Sequence, residues 1–316
     1  MTTMMTLNDC IAYLNQNDGY LLVTHIRPDG DTLGSAAALC HILRRMGKTA
    51  YLYDNPQVTA KYQPWVAPYI APVGFVPSCM VAVDLAAENL FPKGFENQPI
   101  DLCIDHHPTN SEYAARLLCK PEKASCGEII LELAKLALGE IDQTTANLLY
   151  IAVSTDCGCF MYANTTEETH RAAAELIEAG ADHKTLNNTL FRTFSYARLI
   201  LEGMIYTDMK RYGAGGGVVV ATITLDMMAR SGATEDDCDD LASLAGRVEG
   251  CSVAVTVREL QPGQCKISMR SGDSFDSSAV CALHGGGGHR RASGCTIEAT
   301  PENARDIIVR DILEAM

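Results

Sequence analysis

The sequence predicts an α/β chain of two lobes: a parallel sheet with helices on both faces, then a smaller α/β lobe, with a cleft between them. Three observations carry this. Short apolar runs alternate with helical patterns through the first half. A glycine cluster at 213–217 opens a second half of different rhythm. The length of 316 residues and the 47% hydrophobic content suffice for two ordinary cores.

Residues 19–24 (GYLLVT) read as a buried strand. Residues 31–46 read as a helix that opens on small residues and closes at Gly47. The runs at 49–53, 80–84 and 100–105 are further short strands, each ending in or near an acidic residue. Residues 123–138, 144–153 and 167–179 read as helices, the last ended by Gly180. A long helix is expected over 194–212, connecting the lobes. Strands follow at 218–224, 252–259 and 265–270, with an acidic helical stretch at 234–247. A terminal helix at 301–315 has proline at its start. The domains are accordingly 1–187, a linker helix at 188–210, and 211–316.

The net charge is −14. Long nucleic acids are gripped by broad basic surfaces, and none is visible, so a nucleotide ligand is expected to be short and held by a few placed cations. No apolar run is long enough to cross a bilayer, and MTTMMTLNDC has no secretory pattern, so the expectation is a soluble cytoplasmic protein without membrane partners. The thirteen cysteines, among them Cys40, Cys103 and Cys281, sit mostly within apolar runs and read as small buried hydrophobes rather than a disulfide framework. Cys157 and Cys159 are one residue apart with no second pair, which favours packing over a metal site.

Ligands of open α/β sheets bind beyond the carboxyl ends of the strands. After the first strand come His25, Asp29 and Asp31; after later ones Asp84 and the triplet Asp105, His106, His107; and an apolar helix leads to Asp156. Taken alone, Asp31 reads as a helix cap. Five carboxylates converging without counter-charge repel one another, and bound divalent cations remove the difficulty. Mixed aspartate and histidine donors suit Mn²⁺ better than Ca²⁺.

In the second half, consecutive glycines at 285–288 let a backbone approach a phosphate or base closely. The plainer reading is a turn between a helix and a strand. His289, Arg290 and Arg291 follow directly, and Arg270 and Ser271 end an upstream strand. Arg270, Ser271 and His289 are the expected ligand contacts; Arg290 and Arg291 read as solvated, as does the acidic stretch 234–240.

His25-x-x-Pro28-Asp29-Gly30-Asp31, Asp84, Asp105-His106-His107 and Thr155-Asp156 resemble, in order and spacing, the four motifs of the DHH phosphoesterase superfamily. GGGGH at 285–289 with Ala292-Ser293-Gly294 resembles the DHHA1 domain that follows it in the NrnA-type branch. Cys157 and Ser293 stand where that family is expected to have Thr and Ala. The resemblance implies a two-metal phosphoesterase, with manganese, acting on pAp (3′-phosphoadenosine 5′-phosphate), pApA or RNA of two to five nucleotides. It implies that His25 and Asp29 hold one ion, that Asp31, His106 and Asp156 hold the other, and that Asp84 bridges them. Asp105 would orient a histidine, and His107 would face the scissile phosphate. Arg270, Ser271, Gly286, Gly287, Gly288 and His289 would bind substrate. A homodimer is compatible with this reading. The rivals are a manganese-dependent pyrophosphatase, which would grip its substrate with Lys and Arg rather than a glycine–histidine loop, and a non-catalytic nucleotide-binding module.

Overall fold

The run YLLV, Tyr20–Val23, is buried at all four side chains, as a strand covered on both faces requires. In the computed structural model, which describes residues 2–95, 98–238 and 241–316, it is the second strand of an all-parallel sheet. The chain forms two compact units, one running to Thr193 and one from Phe194 to Met316.

The first unit runs β1 (Thr3–Met4), α1 (Leu7–Gln16), β2 (Tyr20–Val23), α2 (Gly30–Arg45), β3 (Ala50–Leu52), α3 (Gln63–Val66), β4 (Cys79–Val83), β5 (Leu102–Asp105), β6 (Arg116–Cys119), α4 (Cys126–Leu138), α5 (Gln143–Asp156), α6 (Glu167–Glu178) and α7 (His183–Asn187). The strand order is β1-β6-β5-β4-β2-β3, parallel throughout. The chain leaves β2 for β3 on one side and returns to β4 on the other. The carboxyl ends of β2 and β4 therefore flank a topological switch, where such sheets bind ligands.

Side chains alternate across the sheet. Tyr20 and Leu22 join Leu14 of α1, Leu39 of α2, Ile130 of α4 and Leu149 of α5 in one cluster. Leu21 and Val23 face Phe91, Phe95 and Tyr113 in another. Among the described residues that second cluster draws on strands, loops and the short 3-10 turn Glu88–Leu90, with no α-helix. The second face is thus closed by the connections into β4, β5 and β6; the sequence predicts helices on both faces but places none in these connections. Those connections lack the 3.6-residue apolar spacing a covering helix needs. Strands β1 and β6 and helix α1 were not anticipated. Helix α5 runs three residues past its expected end at 153 and so includes Asp156.

The second unit contains α8 (Tyr196–Asp208), β7 (Lys210–Tyr212), β8 (Val218–Ile223), α9 (Leu225–Ser231), β9 (Val253–Gln261), β10 (Gln264–Ser271), α10 (Ser277–Ala282), β11 (Gly287–His289), β12 (Ala292–Ile297) and α11 (Pro301–Ala315). Its sheet order is β11-β12-β10-β9-β8-β7, with β8 and β9 parallel and the other neighbours antiparallel. The helix expected over 194–212 is shorter. Ser195 caps it at the amide of Arg198, and Lys210–Tyr212 leaves to pair with β8. In the acidic stretch the structure has 3-10 turns at Glu235–Cys238 and Leu241–Arg247; Asp239 and Asp240 lie outside the described residues. Among the described residues no helix is long and apolar enough to cross a membrane.

Candidate active site

Four segments bring acidic and imidazole side chains to the carboxyl edge of the first sheet. The turn after β2 supplies His25 and Asp29. The Asp29 carboxylate accepts the amides of Asp31 at 3.0 Å and Thr32 at 3.2 Å, so the helix-cap role considered for Asp31 belongs to Asp29. His25 shares a hydrogen bond between Nδ1 and the Ile26 carbonyl at 2.8 Å. That leaves Nε2 3.7 Å from Asp29 and 4.0 Å from Asp84.

Asp31, 1% exposed, is held from two helices. Ser35 donates its hydroxyl to Oδ1 at 2.9 Å, and the Gly127 and Cys126 amides at the start of α4 donate at 3.0 and 2.7 Å. These amides carry the positive end of the α4 dipole. The close packing of α2 on α5 depends on Gly30, where a Cβ would collide with the Thr155 side chain. Asp31 and Asp156 are thereby set side by side.

His106 follows β5. Its Nδ1 lies 3.1 Å from the Lys123 carbonyl, and Nε2 lies 3.4 Å from Asp84, 3.6 Å from Asp156 and 3.8 Å from Asp31. Asp105 is fully buried and accepts the amides of His106 and His107, the His107 ring Nδ1 and the Asn110 amide. The histidine that it orients is His107, whose ring is 40% exposed.

Asp84 directly follows β4 with φ +56°, a left-handed conformation that is uncommon away from glycine. It is 4% exposed, and its Oδ1 has no hydrogen-bond partner among the described residues. An unpaired buried carboxylate oxygen is costly. The separations of 3.4–4.0 Å around it exceed hydrogen bonds. They suit donors that share an ion at about 2.1 Å from each. The donor atoms of His25, Asp29 and Asp84 gather within 4.8 Å of one another, as do those of Asp31, His106 and Asp156. Asp84, His106 and His107 gather likewise, but His107 Nδ1 is engaged by Asp105 at 2.8 Å. The donor chemistry fits divalent cations, with Asp84 adjoining both the His25–Asp29 pair and His106.

Without ions the charges distort one another. Burial lowers His106, but the Asp84 carboxylate 3.4 Å away and the charges of Asp31 and Asp156 outweigh that and hold it at about 10. His25, lowered by burial, is raised to about 9 by Asp29 and Asp84. Burial pushes Asp156 up to about 7, with His106 opposing and the Asp84 and Asp29 charges adding.

In the second unit, Lys266, Ser268 and Arg270 alternate along β10 with the buried Cys265, Ile267 and Met269. With His284, His289 and the glycines at 285–287 they line an open pocket of about 730 Å³. A Cβ on Gly286 would collide with the Gly294 carbonyl and Cys295, and Gly288 sits at φ +139°. Gly287 faces open space. Ser271 does not line this pocket. It has the parity of the buried β10 residues, and its hydroxyl donates to the Phe275 carbonyl at 3.1 Å. Ser268, three residues earlier and of the opposite parity, lines the pocket instead; the period-two alternation was the signal that could have found it. Arg291 pairs with Asp273 at 3.0 Å on the surface.

The family model described as the DHH family, N-terminal domain, matches residues 20–153, and that of the DHHA1 domain matches residues 215–315. The chain is 34% identical over 280 residues to a Thermus thermophilus protein named bifunctional oligoribonuclease and PAP phosphatase NrnA, covering 88% of this chain and 83% of that protein. A Bacillus subtilis protein of the same name is 26% identical over 303 residues, covering 94% of this chain and 95% of that one. An Exiguobacterium protein named probable manganese-dependent inorganic pyrophosphatase is 28% identical, covering 62% of this chain and 67% of its own. In fold, the chain matches the crystal structure of an exopolyphosphatase-related protein from Bacteroides fragilis with a TM-score of 0.87 at 21% identity, covering 98% and 95% of the two chains.

Proposed function

Because the chain belongs to the DHH family, with a DHHA1 domain following, we propose that it is a manganese-dependent hydrolase of short nucleotides, acting on pAp and on oligoribonucleotides such as pApA. The observation that carries this reading is the partnerless Asp84 Oδ1, buried between the His25–Asp29 pair and the Asp31–His106–Asp156 group. In this reading His25, Asp29 and Asp84 hold one cation, and Asp31, His106 and Asp156 hold a second that Asp84 shares. Bound there, two divalent ions activate a water for attack at phosphorus and offset charge on the phosphate. His107 presents Nε2 to the phosphate or the leaving oxygen, its orientation held by Asp105. Arg270, His289 and the backbone of Gly286, Gly287 and Gly288 hold substrate phosphate and base, and Ser268 lines the same pocket.

The net charge of −14 supports a short substrate, because an extended polyanion binds through many phosphate contacts and counterion release. All thirteen cysteines are unpaired, which supports a reducing compartment, the cytoplasm. Rates should be compared on pAp, pApA, a long RNA and pyrophosphate, with Mn²⁺ and with EDTA. The expected result is turnover of pAp and pApA that EDTA removes and Mn²⁺ restores. Faster cleavage of pyrophosphate or of the long RNA overturns the reading.

A further inference from the structure

Arg27 stands at the apex of the turn whose two arms carry His25 and Asp29. It is two residues from each, and the side chains of those two approach to 3.7 Å, so the turn folds back on itself at the rim of the site. Arg27 has φ +52°. A non-glycine residue in this conformation is uncommon and costs free energy, so the surrounding structure must impose it. The restraints are specific. Asn55, 2% exposed, donates its side-chain amide to the Thr24 hydroxyl at 3.1 Å and to the His25 carbonyl at 3.0 Å. The Asn55 side-chain oxygen accepts the Gln57 amide at 3.1 Å, and the Gln57 side chain in turn accepts the Arg27 amide at 3.3 Å. The Ile26 amide reaches the Leu90 carbonyl at 2.7 Å. The backbone is thus tied from beneath, and the Arg27 side chain is exposed. Among the described residues its guanidinium has no hydrogen-bond or ion-pair partner.

The other cations near the acidic centre are committed elsewhere. Lys123 pairs with Glu132 and Glu168, and Lys120 pairs with Glu132. The five carboxylates Asp29, Asp31, Asp84, Asp105 and Asp156 also exceed by one charge what two divalent ions neutralise. A substrate that carries a second phosphate brings further negative charge to this rim, where like charges are costly. An unpaired guanidinium, with its planar fork of donors, matches that need.

We propose that Arg27 binds the non-scissile phosphate of the substrate and so makes the metal-bearing unit itself selective for nucleotides with a second phosphate. This rests on the hydrolase reading above. The turn also carries two ligands of the site, so the test must separate phosphate binding from damage to the turn. Arg27→Asn serves, because asparagine tolerates positive φ, and Arg27→Lys retains the charge without the fork. Steady-state kinetics are measured on pAp against 3′-AMP and on pApA against ApA, two pairs that differ only by a 5′-phosphate, and Mn²⁺ affinity is measured by calorimetry. For Arg27→Asn we expect KM to rise at least about tenfold for pAp and pApA, with KM for 3′-AMP and ApA and the Mn²⁺ affinity unmoved, and partial recovery in Arg27→Lys. Equal changes within each pair, no change at all, or a loss of Mn²⁺ affinity that accompanies the KM change each overturns the assignment while leaving the hydrolase reading intact. An unsubstituted protein that turns over none of the four compounds overturns both.

Discussion

His107 and Asp105 are joined by a 2.8 Å hydrogen bond from ring Nδ1 to carboxylate Oδ1. That bond is the main reason the His107 pKa is raised, with burial opposing and the charge of Asp84 adding. Asp105→Asn keeps an acceptor oxygen but removes the charge, so the His107 pKa should fall. If protonated His107 serves the leaving oxygen, activity is lost as pH rises through that pKa. The alkaline limb of the kcat profile should therefore move to lower pH in Asp105→Asn. An alkaline limb at its original pH would remove His107 from this role.

Asp84 differs from the other acids in making no hydrogen bond through Oδ1 while occupying a left-handed backbone position. Asp84→Gly removes a buried acceptor without a partner and relieves the positive φ at once. Turnover should fall by more than about a hundredfold, since even partners that merely support a metal ligand cost about 10–100-fold. The thermal midpoint measured in EDTA should not fall. A large loss of metal-free stability would mean that Asp84 is structural.

Metal binding should release protons. His25 at about 9 and His106 at about 10 are protonated near neutral pH in the metal-free protein, and Asp156 at about 7 is partly so. Each must lose its proton to coordinate, so raising pH removes the competitor and Mn²⁺ affinity should increase from pH 6 to pH 8. Calorimetry in two buffers of different ionisation enthalpy would read the protons released; a pH-independent affinity contradicts the donor set.

The glycine loop should divide by position. Gly286→Ala meets the Gly294 carbonyl and Cys295 and should cost about 1–3 kcal/mol of stability. Gly287→Ala meets nothing in the protein, so its melting temperature should stay put while KM for pAp rises. Unchanged KM in a folded Gly287→Ala protein would detach the loop from substrate binding.

How much of this was legible beforehand follows from the range of the forces involved. The ends of β4 and β5 could be read because apolar runs and the acids that stop them are local features, and the acids closing those two runs, Asp84 and Asp105, gather at the carboxyl edge. The run of α5 to Asp156 and the short α8 were missed at their ends, where capping and strand pairing outweigh helical periodicity. Ser271 falls outside the pocket lining because its strand parity matches that of the buried β10 residues. The sequence alone determined which side chains could serve as metal donors and in what order the chain presents them. Tertiary structure decided what holds each one. The Cys126 amide reaches Asp31 across 95 residues, and that contact exists because α2 and α4 pack against α5 at Gly30, Gly34 and Gly127, where any side chain would hold the helices apart. A donor's identity is written in its own residue. Its direction is set by helix packing, which depends on shapes brought together only when the chain has folded.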